Sequence, residues 1–325
     1  MKKTQTVSYM DFRPAAIIRN PHTQSILASS KLRVFHKRFF LLNSRSLVVD
    51  TSTQTKLLAV YTPHANPKGL IILLHGWEGS SSSAYMIDAG AFFHKRGYSV
   101  CRLNLRDHGD SHHLNEGLFH GALLDETFDA VHALSKLANG KPAHLIGFSM
   151  GGNFALRIAR KYSSLPDTPL QSVFAISPPL DPYKTTLAID ERYAFYRRYF
   201  LKKWKRSLLK KQKLFPHKYD FRKMLTARTC MELTEAMMPY FPEFPSYRDY
   251  FNLYTLKKDF FENFRLPVRI FISEDDPVIP QDDFEELSAN KYFQILRVKY
   301  GGHCGFIDIA PRGCFYHKII AQMID

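Results

Sequence analysis

The sequence predicts an α/β fold, a mostly parallel sheet with helices on both faces. Three observations carry that expectation. Gly69–Leu74 (GLIILL) and Tyr98–Leu103 (YSVCRL) are short apolar runs, the pattern of strands buried on both sides. Helical spacing falls between and after them, in residues 84–96 and in residues 125–138, where Phe128, Val131, Leu134 and Leu137 share a face. Strand alternating with helix implies a doubly covered parallel sheet. The third observation is the pentapeptide GFSMG at residues 147–151, set where an apolar run, 143–147, gives way to the small-residue helical pattern from Gly152 to Ala159.

Along the chain, two alternating stretches come first: residues 34–42, then 47–49 followed by 56–61, both expected as leading antiparallel strands. The parallel section follows, with later strands at 172–176, 268–272 and 294–298 and a terminal helix at 315–323. Residues 178–266 lack strand character and read as an insertion. The expected division is a core of residues 1–180 and 266–325 and a mainly helical lid of residues 181–265. Within it, residues 189–215 place Tyr193, Tyr196, Phe200, Trp204 and Leu208 on one helical stripe, with Arg and Lys over the rest. Such a stripe needs a partner, and the nearest is the core, so a helix lying over a pocket is the favoured reading; a basic amphipathic helix on an acidic surface is the rival.

Hydrophobic content of 45% and aromatic content of 14% over 325 residues are globular values. No apolar stretch reaches the ~20 residues of a membrane span. The opening MKKTQTVSYMDFRP has two lysines with no apolar run behind them, unlike a secretory signal. Cys101, Cys230, Cys304 and Cys314 form no CxxC pair, which argues against a zinc site or a disulfide framework. A cytoplasmic protein is expected. The net charge of +15 raises polyanions and acidic membranes as partners, but residues 184–223 hold fourteen Lys or Arg against three Asp or Glu, so one segment carries nearly all the excess. Nucleic acid is disfavoured, and the basic insertion suits at most weak contact with an anionic membrane surface.

Ser149, at the centre of GFSMG, is the candidate nucleophile. Glycine at both ends suits a tight, strained turn with the neighbouring strand and helix close by. A serine hydroxyl needs a base and a group to orient that base. Asp275 and Asp276 follow the 268–272 strand in SEDDPVIP, and His303 follows the last strand in YGGHCGF. Both loops fall at the C-terminal ends of parallel strands, where this sheet type places its sites. Asp276 is preferred, because Pro280 stands at the distance common in acid loops, with Asp275 as reserve. Flanking Gly301, Gly302 and Gly305 mark His303 as a tight-loop residue rather than a core one. Two backbone amides are expected to hold an oxyanion: that of Met150, and that of Trp77 in HGWEGSS, with Gly76 as its alternative. His75 is read as organising that loop. RDHGDSHHLNEGLFH, residues 106–120, is rich in His and Asp but has no HExxH or comparable ligand spacing, so it reads as a structured polar loop. No metal or organic cofactor is required.

These motifs occur in the order HGWEG, RDHGDS, GFSMGG, DDPVIP, GGHCGF, and with them the chain resembles the α/β-hydrolase superfamily. NPHTQSI (20–26), HGWEGSSSSAY and RDHGDSHH look like its YheT-like branch, similar to the yeast medium-chain ethanol acyltransferases. The resemblance spans most of the chain outside the insertion. It implies an eight-stranded α/β-hydrolase sheet and a serine carboxylesterase or acyltransferase acting on small-molecule acyl esters, with Ser149, Asp276 and His303 as triad. Asp107 departs from the pattern, standing where many relatives carry glycine. Dehalogenase and epoxide hydrolase chemistry is disfavoured, since those enzymes use aspartate at the position of Ser149.

Overall fold

Nine strands make the main sheet in the computed structural model, which describes residues 7–325 apart from 286, 289 and 310–312. In chain order they are β1 (Val7–Tyr9), β2 (Arg45–Asp50), β3 (Lys56–Thr62), β4 (Gly69–Leu74), β5 (Tyr98–Leu103), β6 (Ala143–Phe148), β7 (Leu170–Ile176), β8 (Val268–Ser273) and β9 (Phe293–Val298). Their spatial order is β1-β9-β8-β7-β6-β4-β5-β3-β2, all running one way except β3, which pairs antiparallel with both β5 and β2. Every residue of β4, β5 and β6 is buried. Along β4, Leu70, Ile72 and Leu74 feed one apolar core, with Phe154 and Ile158 of the helix Met150–Ser163. Ile71 and Leu73 feed the other, with Phe93 and Tyr316. Alternation of strand side chains thus gives each face its own core.

Two expectations outside the insertion need correcting. The sheet has nine strands rather than eight, because Val7–Tyr9 adds a parallel edge strand beside β9; three residues are too few to show a period. Residues 34–42 are not a strand. Lys31–Lys37 is a 3-10 helix continued by the α-helix Arg38–Leu42. Its inward positions are Val34 and Phe40, at helical spacing, with Phe40 against Gly90 of the helix Ala84–Lys95. The apolar residues that imitate strand alternation lie on its outer face.

Between β7 and β8 the chain forms the helices Pro182–Glu191, Ala194–Leu214, Cys230–Met237 and Tyr247–Asn252. The expected continuous helix over 189–215 is broken at Tyr193, whose backbone is extended and which is 40% exposed. Just before the break, the Asp190 carboxylate accepts from the amides of Cys230 (2.8 Å) and Met231 (2.9 Å) at the start of the helix Cys230–Met237. Tyr196 and Leu208 of the predicted stripe are buried, and Phe200 and Trp204 pack on the core.

Much of the insertion's positive charge is engaged internally. Lys211 is 1% exposed and donates to Asp107 Oδ1 (2.7 Å) and to the carbonyls of Asn115 (2.6 Å), Gly117 (3.0 Å) and His112 (3.3 Å). Lys203 donates to the carbonyl of Glu78, Lys210 to that of Gly109, and Lys205 to those of Leu225 and Ala227. Asp107, the departure from the glycine pattern, sits at φ 56° and pins the insertion to the loop after β5.

Candidate active site

Ser149 joins β6 to the helix Met150–Ser163 with φ 51° and ψ −121°, a strained combination for a residue other than glycine. The flanking glycines are required by contact. A Cβ on Gly147 would lie 2.1 Å from the Gly151 carbonyl oxygen, and one on Gly151 would lie 2.5 Å from the carbonyl oxygens of Leu74 and His75. The turn lifts the Ser149 hydroxyl above the sheet edge.

At that edge the loops after β6, β8 and β9 converge. Ser149 Oγ donates to His303 Nε2 (2.9 Å), and His303 Nδ1 donates to Asp276 Oδ2 (3.0 Å). The carboxylate only accepts, so the neutral ring carries its proton on Nδ1. Asp276 Oδ1 accepts from the amides of Val278 (2.8 Å) and Ile279 (3.0 Å), which fixes the carboxylate plane. Asp275 points elsewhere, accepting from the Gly302 amide at 2.9 Å; it shapes the histidine loop without touching the ring in these contacts. Burial opposes charge on His303, but the Asp276 carboxylate, with a smaller contribution from Cys304, outweighs it and raises the imidazole well above its ordinary value.

The loop after β4 holds Gly76 and Trp77. The Gly76 amide is taken by the Tyr85 hydroxyl at 3.0 Å, while among the described residues the amide of Trp77 has no protein acceptor. Met150 is the first residue of its helix, so its amide has no intrahelical partner. Two neutral histidines hold the loop. His75 Nε2 accepts from the Leu105 amide (3.1 Å) while Nδ1 donates to the Gly76 carbonyl (2.8 Å). His108 Nε2 accepts from the Glu78 amide (3.2 Å) while Nδ1 donates to the Arg106 carbonyl (2.7 Å). Burial lowers both, His108 to about 4, which keeps them uncharged at neutral pH. Burial also raises Glu78 to about 8, against the opposing influence of Lys203. In residues 106–120 the polar groups brace the fold: Arg106 pairs with Glu126, and His112 with Ser207 (2.8 Å).

Two cavities open on Ser149. A narrow one of about 100 Å³ runs under the inserted helices, lined by Trp77, Trp204, Met237, Phe241 and Tyr254 among others. A wider one of about 770 Å³ is bordered by His303, Tyr85, Tyr196 and Lys203. Trp77 and Phe200 border both and stack with ring centres 5.2 Å apart, 11° from parallel.

Sequence reasoning gave no role to Gln24 and Ser25. Ser25 Oγ accepts the His303 amide (2.8 Å), while Gln24 exchanges hydrogen bonds with the backbone of Ile307 (2.8 and 2.9 Å). The available signal was NPHTQSI itself, in which Asn20 caps the helix Pro21–Ser29 and delivers both side chains to the histidine loop.

Comparison with known proteins agrees with this architecture. Escherichia coli K12 "Putative esterase YheT" is 22% identical over 251 residues, 75% of this chain and 72% of that protein. Human "Protein ABHD15" is 30% identical over 132 residues, 39% of this chain but only 28% of the human protein. Among solved structures, the Pyrococcus furiosus esterase Pf2001 superposes with a TM-score of 0.54 at 18% identity over 86% of this chain and 90% of that one. The 2,6-dihydroxy-pseudo-oxynicotine hydrolase gives 0.57 at 13% identity over 95% and 75%. Residues 69–308 match the family described as the alpha/beta hydrolase fold, and with most of its length so matched the chain belongs to that family and is a hydrolase.

Proposed function

We propose that the protein is a serine carboxylic-ester hydrolase that forms an acyl-enzyme on Ser149. The carrying observation is the hydrogen-bonded line Ser149–His303–Asp276, with distances of 2.9 and 3.0 Å, at the mouths of two cavities. In this reading Ser149 Oγ attacks the ester carbonyl as His303 takes its proton, and Asp276 orients the ring and stabilises the imidazolium. The amides of Met150 and Trp77 hold the oxyanion. His303 then returns the proton to the departing alcohol, and water, activated by the same ring, releases the acid. The narrow cavity, walled by aromatic and methionine side chains, suits an apolar acyl chain, and the wider one the alcohol. The names of the E. coli and P. furiosus proteins point the same way.

The division into a core of residues 1–180 and 266–325 under a lid of residues 181–265 is part of this proposal. A second reading, acyl transfer to an alcohol, uses the same residues; it is favoured by the size of the wider cavity, which leaves room for an acceptor other than water. Purified protein is expected to hydrolyse p-nitrophenyl acyl esters, to react with a fluorophosphonate probe and to lose both properties in Ser149→Ala. A wild-type protein inert to both reagents refutes the proposal. Product analysis with added alcohol separates hydrolysis from transfer.

A further inference from the structure

The helix pair Lys31–Lys37 and Arg38–Leu42 is amphipathic in an unusual sense, its outer face being the more apolar. Leu32 (86% exposed), Phe35 (89%), Phe39 (77%) and Leu42 (72%) follow helical spacing on the outside. The inward face holds Val34 and Phe40 together with two cations, Arg33 and Lys37, both directed at Asp88. The segment is also cationic: between Asp11 and Asp50 the sequence has seven Lys or Arg and no Asp or Glu, and of these Lys31, Arg38 and Arg45, within or three residues beyond the helix pair, are exposed. The surface continues to the site. Ile26 (59% exposed) and Lys31 border the wider cavity opposite Phe195 and Tyr199, which are each 44% exposed.

We infer that residues 31–42, with Ile26, form a docking surface for an anionic lipid bilayer, holding the mouth of the wider cavity against the membrane. Exposed Phe and Leu side chains enter the headgroup–acyl boundary, and the cations beside them meet acidic headgroups. A second copy of the chain is the less favoured occupant, because a two-fold interface would set the exposed cations Lys31, Arg38 and Arg45 of this segment against their own copies. The expected basic contact thus moves from the insertion, whose lysines are largely occupied, to the N-terminal helices. Lipid docking goes beyond the ester-hydrolase reading and does not need it, since it can be measured on Ser149→Ala.

The test is flotation of the full chain with vesicles of phosphatidylcholine plus phosphatidylserine, and of phosphatidylcholine alone. Salt-sensitive binding to the mixed vesicles is expected, reduced at least about tenfold in Leu32→Ser/Phe35→Ser/Phe39→Ser and made independent of phosphatidylserine in Arg38→Glu/Arg45→Glu. Since the three apolar side chains are exposed, the triple variant is expected to keep the wild-type melting temperature and its activity on a soluble ester. Three results overturn the inference: no binding by the wild type at low salt, undiminished binding by the triple variant, or a wild-type dimer that the triple variant dissolves while neither protein floats.

Discussion

Lys211→Met tests the buried link between the insertion and the core. The ammonium makes four hydrogen bonds, to Asp107 and three backbone carbonyls, at 2.6 to 3.3 Å, and both side chains are buried, at 1% and 7% exposure. Burial is the larger influence on each group, raising Asp107 to about 6 and lowering Lys211, so the intact pair adds little net stability. Breaking it is different. Methionine fills the space but leaves a buried carboxylate without its cation and three carbonyls without a donor, a loss of about 3–5 kcal/mol. At about 2.1 cal/mol/K per residue, 325 residues have an unfolding entropy of about 0.7 kcal/mol/K, so the melting temperature should fall by about 4–7 °C. Asp107→Gly/Lys211→Met removes the stranded charge and the strain of a non-glycine residue at positive φ but leaves the three carbonyls and the Phe119 amide unpaired, so it should regain part of that loss. The sign with pH follows from Asp107: an acid raised in the folded state favours folding below its ordinary value and loses that contribution as pH rises through about 6. The penalty of Lys211→Met should therefore be larger at pH 8 than at pH 5. Calorimetry on the four proteins of this cycle provides the check. A single variant within about 1 kcal/mol of wild type, or a double variant as unstable as the sum of the singles, refutes the reasoning.

Asp276→Asn should lower kcat about 10³–10⁴-fold by losing the acceptor that sets the His303 tautomer, while Asp275→Asn, which keeps an oxygen for the Gly302 amide, should cost less than about tenfold; steady-state kinetics on one soluble ester compares them. Because His303 must be neutral to accept the serine proton and its value is raised, kcat/KM should climb with pH through a midpoint above 6.5, and residual activity in Asp276→Asn should show that midpoint moved down. Gly147→Ala, whose methyl would meet the Gly151 carbonyl at 2.1 Å, should cost about 3 kcal/mol or more, seen as a lower melting temperature or loss of soluble protein.

Most of the frame was legible in the sequence because its signals are local. The runs in β4 and β5, the helical spacing around Phe128, and the strand–glycine–serine–glycine–helix junction at Ser149 each depend on residues within a few positions. The choice of Asp276 over Asp275 also came from its own loop, through Pro280, and His303 makes its contact with that residue. Residues 34–42 misled for a physical reason: hydrophobic patterning reports burial only where apolar residues turn inward, and here Phe35, Phe39, Leu41 and Leu42 are exposed while Val34 and Phe40 are buried.

What tertiary structure alone decided were pairings across long separations. Lys211 meets Asp107 across 104 positions, Ser25 meets the His303 amide across 278, and β1 reaches β9 from the opposite end of the chain. The break at Tyr193 goes with the engagement of Asp190 at the helix that starts at Cys230. No period or turn residue encodes such contacts; they exist because the sheet order brings these segments together, and burial then makes each polar group find a partner. Local chemistry thus determined the strands, the elbow and the identities of nucleophile, base and acid as candidates, while packing determined that they stand within hydrogen-bond reach and which surface flanks their cavity.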